Sequence, residues 1–434
     1  MTAVAAQAMR RSGRPSAVVT ALAALGAGYC LSYLFRNVNG VVGADIMRDL
    51  GIGAGALGWL TAAYLLAFSA AQLPVGMLLD RYGPRRVQAL LLLCAAAGAA
   101  LCGLDGGPAA VLFGRAMIGL GTAGCLMAGL KASAAWVAPG QVALANGVFV
   151  MCGGLGALMA TWPVELGLRL VDWRGLHSGL AVLACATALL IWYSVPELEP
   201  AGSTRTGGTR TGSTRTGSAR ADAPRLRDIA RDPMFRRFAP LSSSCFGTVL
   251  GVQGLWTGPW LADVDALTRP EVADGLAYMA MALVIAAPCW GVLTRWLRNS
   301  GRLMAGAGAA ALVLMGTEAL ITAHLGVSPV LPWSVFALFG GMSVFSYSVL
   351  ASHFPQASIG RANGALNVLH IGVSFAVQLA IGQVVSLWPE QGGHYPAHAY
   401  QCAMLLPLAL QATALVWFAW PRRALGTAPA PVPL

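Results

Sequence analysis

The chain reads as an all-helical membrane protein with twelve transmembrane helices. Three observations carry this reading. Of 434 residues, 57% are apolar and only 10% are charged, against roughly 25% charged in a soluble domain. Mean hydropathy is +0.66. Twelve apolar runs along the chain are each long enough to cross about 30 Å of hydrocarbon. This composition excludes a cytosolic enzyme, a disordered chain, a nucleic-acid-binding module and an appended ATPase domain.

The first run, 17–43, follows Arg10, Arg11 and Arg14, as a signal peptide would. It outlasts a signal h-region and no small-residue cleavage site follows, so it reads as an uncleaved helix. The others are 55–79, 88–104, 109–133, 142–168, 176–195, 238–262, 274–297, 303–325, 330–351, 362–387 and 399–420. Residues 196–237 separate two groups of six. They are polar and place Arg205, Arg210, Arg215 and Arg220 at a five-residue period. Such a segment has nothing to bury and reads as a linker. The expected units are therefore 1–195, the linker 196–237, and 238–434.

Orientation follows from the cations. With both termini and the linker in the cytoplasm, 21 of the 28 basic residues lie inside and 4 in the opposite loops. Arg36, Arg115 and Lys131 fall within spans. This is the positive-inside pattern of a multi-pass protein of the inner (plasma) membrane, so the net charge of +11 reflects topology and implies no nucleic acid. The nine cysteines sit in apolar runs, without CxxC or histidine at metal spacing; packing is their expected role, and no metal or cofactor is expected. No P-loop, HExxH or GxSxG is present, so ATP-driven transport and the common membrane hydrolases are not indicated.

Span five opens with Ala145-Asn146-Gly147 and span eleven with Ala362-Asn363-Gly364, 217 residues apart; repeated halves suit a transporter. Between spans two and three stands Gly76-Met77-Leu78-Leu79-Asp80-Arg81-Tyr82-Gly83-Pro84-Arg85-Arg86. It resembles the loop signature G-x-x-x-D-R-x-G-R-R of the major facilitator superfamily, and its place matches. The resemblance implies two pseudosymmetric six-helix bundles, a site at their interface and alternating access. It also implies a gating role for Gly76, Asp80, Arg81, Gly83, Arg85 and Arg86. Arg115, within Gly114-Arg115-Ala116-Met117-Ile118-Gly119-Leu120-Gly121, resembles the family's arginine-glycine element, associated with proton coupling in some members. Asp172-Trp173-Arg174 resembles the G-W-R at the end of span five, with Asp for Gly.

Charges inside a bilayer cost about 2.5–3.5 kcal/mol each on insertion scales and call for a role. Arg36 shares one helical face with Tyr29, Ser32, Tyr33 and Gly40, and a guanidinium there can bind an anion bidentately. Tyr33-Leu34-Phe35-Arg36 resembles the span-one element of organophosphate:phosphate antiporters. Their second phosphate-binding arginine has no counterpart: residues 241–262 hold no cation, only Gln253. A small organic anion is thus the expected substrate. The expected binding set is Arg36, Tyr29, Tyr33, Gln253, Trp256, Asn367, His370 and Gln378. Asn363, Asn367, His370, Ser374 and Gln378 form one polar stripe, lining either a cavity or a helix contact. Glu318, His370, Lys131 and Arg115 are the proton-coupling candidates; Glu318 lies near mid-span, and Lys131 is the single lysine. No carboxylate lies within a turn of Arg36, so an ion-pair partner would have to be Glu318 or Glu165. Glu165 itself is expected to pair with Arg169. The expected partners are a small solute, lipid and a proton, with the protein a monomer. Drug efflux on the same fold, or a receptor or enzymatic role, are the alternatives.

Overall fold

The structure is a computed structural model that describes residues 15–138, 141–197, 226–325, 328–355, 358–390 and 394–420. Arg10, Arg11, Arg14, the four repeat arginines of the linker, Arg422 and Arg423 lie outside these residues. Among the described residues, eleven helices are long and apolar enough to cross a membrane. They are Ala17–Asn37, Ala54–Gln72, Pro74–Gly103, Gly107–Trp136, Ala145–Leu168, Trp173–Ser194, Arg269–Asn299, Leu303–Ala323, Val330–His353, Arg361–Val385 and Ala397–Ala419. The expected seventh span is helical but differs from these. It consists of Pro233–Gly251, a π turn at Val252–Trp256, and Thr257–Asp263. Ser242, Ser243, Ser244, Thr248 and Thr257 dilute its apolarity, and all five are buried. Neighbouring helices rather than lipid surround this polar stretch, which is how polar side chains are tolerated at membrane depth.

The local chemistry sets the boundaries. Ala54–Gly103 continues through spans two and three except at Gly83, where φ is 77° and ψ 166°. A residue without Cβ adopts that conformation at little cost, so the motif's glycine makes the turn. The first span continues past Val38 as Asn39–Leu50, longer than expected. The last residues of the 196–237 segment form helix, in Leu226–Arg231 and the start of Pro233–Gly251. Asp232 explains the restart. Its Oδ1 accepts from the amides of Met234 and Phe235 at 2.9 Å, with Pro233 at the first helical position, a favourable N-cap. Span eight opens on a capping box between Thr268 and Glu271.

Two ends can be distinguished: the motif end, with Gly76–Arg86, and the far end, with the loops after spans one, five, seven and eleven. Bonds between the two halves gather at the far end. Arg269 of span eight donates from Nη2 to Asp45 Oδ2 at 2.7 Å and from Nε to Glu165 Oε2 at 2.8 Å. Glu165 therefore does not pair with Arg169 as its spacing suggests. Its carboxylate is buried toward span eight, where Arg269 is the cation within reach. The Tyr395 hydroxyl accepts from the amide of Ala54 at 2.9 Å, and Gln383 donates to the Gly55 carbonyl at 3.3 Å. Gly258 lies so close to Gly40 that a Cβ would collide with the Gly40 carbonyl oxygen. The far end is closed.

Candidate substrate site

Arg36 stands in the last turn of Pro15–Asn37, just before the helix resumes at Asn39, and is 8% exposed. Its guanidinium carbon lies 4.8 Å from the rings of Tyr33 and Phe68 and 5.9 Å from that of Tyr64. Aromatic faces attract a cation and hold it in place, and the Tyr64 side chain is also within interacting reach of the guanidinium. Nε has no hydrogen-bond partner, and among the described residues no carboxylate pairs with Arg36. Tyr29 supports this wall: it meets Tyr33 edge-on at 5.2 Å and stacks on Phe149 at 5.4 Å.

Tyr64 neighbours two cations. Arg115 also stands 5.2 Å from that ring and is fully buried, so it does not snorkel. Its Nη1 donates to the Phe35 carbonyl at 2.9 Å, tying span four to span one beside Arg36, while Nε and Nη2 lack partners. The Tyr64 hydroxyl is 3.1 Å from that of Thr122. The other half contributes Asn367 and Tyr347. Asn367 Nδ2 donates to Gln72 Oε1 across the interface at 3.4 Å, and its Oδ1 accepts from Tyr347 at 3.2 Å. Tyr347 is close enough to Tyr29 and Tyr33 to interact with them electrostatically. Arg36, its aromatic wall and the Gln72–Asn367–Tyr347 chain thus form one polar and aromatic cluster at the junction of the halves.

Other expected residues lie elsewhere, except that the His370 ring borders that of Tyr347 at 6.3 Å. The span-eleven stripe is divided. His370 is fully buried inside its own half, with Nε2 2.9 Å from the Ser242 hydroxyl, which meets Ser346 at 2.7 Å. Ser374 packs against Gly251. These two face span seven because the helix is rotated so that only Asn367 meets Gln72. Trp256 donates to the Gln378 carbonyl at 2.8 Å, and both are buried between Gly58 and Gly382 near the far end. They belong to the closure, not to the surroundings of Arg36. Gln253 stands on the π turn, partly exposed, near Gly340 of span ten. Glu318 is fully buried in the contact between spans nine and twelve, where Gln411 donates to Oε2 at 2.7 Å. The expectation that Glu318 or Glu165 could neutralise Arg36 is therefore not met. Lys131 reaches the Gly76–Arg86 segment: it pairs with Asp80 at 2.9 Å and donates to the Leu79 carbonyl. Arg81 lies over Tyr82, Arg85 over Trp192, and Arg86 pairs with Glu197 at 2.6 Å.

Sequence reasoning missed Tyr64, Phe68, Gln72 and Tyr347. The first three recur every fourth residue on span two, a stripe that was available to be read. The Asp45–Arg269 pair carried no such signal, its members being 224 positions apart.

A family model described as Major Facilitator Superfamily matches residues 25–378. The hexuronate transporter of Escherichia coli is 28% identical over 171 residues, 39% of this chain and 40% of that protein, so the match spans well under half of that relative's length. The probable sulfoacetate transporter of Cupriavidus necator is 25% identical over 289 residues, 66% of this chain and 67% of that protein. Among solved structures, a bacterial homolog of the human lysosomal transporter Spinster, inward-facing and unoccupied, superposes with a TM-score of 0.77 at 17% identity, covering 94% of this chain and 97% of that one. A D-xylose-proton symporter gives 0.65 at 15% identity, covering 93% and 97%. At these identities the likeness concerns the fold.

Proposed function

The chain belongs to the Major Facilitator Superfamily, and from that premise we propose that it is a secondary transporter of a small organic anion, held by Arg36 and moved by alternating access. One observation carries the reading: a buried guanidinium walled by three rings and lacking a carboxylate partner among the described residues, beside the contact between the two halves. A buried cation without a resident counter-ion suits a binding site for a carboxylate or sulfonate, whose two oxygens match the guanidinium fork. Hexuronate, L-galactonate and sulfoacetate, for which relatives are named, are anions of this kind. Gln72, Asn367 and Tyr347 would take the substrate's hydroxyls, which favours a hydroxylated anion over a hydrophobic drug. The amide contact at 3.4 Å is long for a hydrogen bond, so a substrate hydroxyl can replace it.

The two halves, 1–195 and 238–434, rock about this site. The charge distribution supports cytoplasmic termini and linker, which makes the closed far end the outer one and the conformation inward-facing. Asp80, held by Lys131, belongs to the cytoplasmic gate.

The test is binding of D-glucuronate and sulfoacetate to purified protein, followed by thermal shift. Wild type should be stabilised by at least one of them. Arg36→Lys keeps the charge and loses the fork, and should weaken binding about tenfold or more, with helicity unchanged by circular dichroism. Equal affinity in Arg36→Lys, or stabilisation by neutral or cationic solutes alone, would refute the reading.

A further inference from the structure

We propose that a phospholipid with a primary ammonium headgroup binds at the far end, its ammonium against Asp265 and one acyl chain in the groove between spans eight and ten. The inference does not depend on what Arg36 carries. Two adjoining hollows outline the ligand. A cavity of about 20 Å³ is lined by Trp260, Asp265, His324, Ser328 and Trp333. Asp265 lies in the loop between spans seven and eight and His324 ends span nine, so this cavity stands at headgroup level. A groove of about 410 Å³, almost wholly apolar, is lined by Tyr278, Met281, Ile285, Ser328 and Leu331. Ser328 lines both, and Pro329 of the cavity is followed by Val330 of the groove. From Tyr278 to Ile285 the groove follows span eight for about 10 Å. Its four large apolar residues are exposed, on a side of the bundle that only lipid covers.

The charge calls for a cation. Asp265 keeps only 7% of its side chain exposed, and its Oδ2 has no hydrogen-bond partner. Its one ion-pair partner among the described residues is His324, with Nε2 2.9 Å from Oδ1, and histidine is mostly neutral near neutral pH. The Trp260 indole is within interacting reach of the same carboxylate and meets the Trp333 ring at 5.9 Å. The cavity thus adds two aromatic rings, which favour a cation. His324 covers the carboxylate and is half exposed, so it can turn aside to admit the ligand. Size then selects the headgroup. About 20 Å³ holds one group as large as a water molecule: a primary ammonium fits and a trimethylammonium does not. The phosphate falls at the mouth beside Ser328, and the glycerol leads the chain into the groove.

Delipidated protein in detergent, titrated with dioleoyl lipids and followed by native mass spectrometry, tests this. Wild type should bind phosphatidylethanolamine about tenfold or more tightly than phosphatidylcholine, the effect of one hydrogen bond to a charged group; equal affinities would overturn the inference. Asp265→Asn should bring the two to parity by weakening phosphatidylethanolamine, and its retained affinity for phosphatidylcholine reports an intact fold. A preference that survives this change would overturn the role of Asp265. Leu331→Trp fills the groove and should weaken both lipids about tenfold, with helicity unchanged by circular dichroism; unaltered binding would overturn the acyl-chain site. Free ethanolamine should fail to compete at equal concentration, and competition on equal terms would make the ligand a soluble amine, overturning the lipid.

Discussion

Removing the charge of Arg269 should release the far end. In the closed arrangement its guanidinium donates to Asp45 at 2.7 and 3.3 Å and to Glu165 at 2.8 Å. Hydrogen bonds to charged groups contribute about 1.5–3 kcal/mol each, so the two short ones give roughly 3–6 kcal/mol before discounting. Two features reduce this. The Arg269 side chain is 47% exposed, so solvent screens it, and Asp45 keeps a second cation in Arg48 at 2.7 Å. About 2 kcal/mol remains for the closed state, or roughly 30-fold in the equilibrium. The open state separates these groups into water, so the loss falls on closure alone. Pulsed electron resonance between spin labels at Leu170→Cys and Leu387→Cys, in a cysteine-free background, measures the two populations. Arg269→Gln should shift weight from the short distance to a longer one by about that ratio. An unchanged distribution in a folded variant would show that this ion network does not hold the far end, and the reasoning would fail.

Gly258→Ala should act in the same direction through sterics, since the added methyl meets the Gly40 carbonyl oxygen; overpacking of this kind costs about 1–3 kcal/mol, and the same distance measurement would read it. Glu318→Gln should leave the pH dependence of transport unchanged, because its carboxyl is tied to Gln411 away from Arg36; a flattened pH profile would restore Glu318 as a proton carrier. Asp265, between spans seven and eight, has an unpartnered Oδ2, and burial pushes its carboxyl above the usual carboxylate range, partly offset by His324 at 2.9 Å. A raised carboxyl costs stability as pH climbs through the unfolded value of about 3.9 toward the folded one. Asp265→Asn should therefore melt higher than wild type at neutral pH, with the gap closing as pH falls toward about 4, and a gap that widens on acidification would reverse the sign of the argument.

Composition and apolar runs made the spans legible, because hydrocarbon thickness imposes a length on each of them. The seventh was read at 238–262 and is helical there, although its polar face, shielded by protein, makes it less apolar than the others. Arg36, Tyr29 and Tyr33 were readable as a cluster because they share one helix. Partners from different helices were not. Sequence spacing puts Glu165 beside Arg169, while burial turns it to Arg269. Spacing also puts His370 and Asn367 on one face, yet the small rotation between them sends one to Ser242 and the other to Gln72. Helical periodicity gives a direction and leaves open what stands there.

The π turn at Val252–Trp256 bears on how relatives are to be aligned. Such a turn holds one residue more than the α-helical turn it replaces. Deleting that residue would restore regular geometry but rotate everything beyond it by about 100°. The segments on either side are anchored independently: Ser242 to His370 before it, and Trp260 to Trp333 and Tyr400, with Asp263 to Tyr400, after it. A deletion would set one anchored set against the other. A one-residue gap in an alignment across 252–256 therefore marks a lineage in which the bulge was gained or lost, together with compensating changes at these contacts.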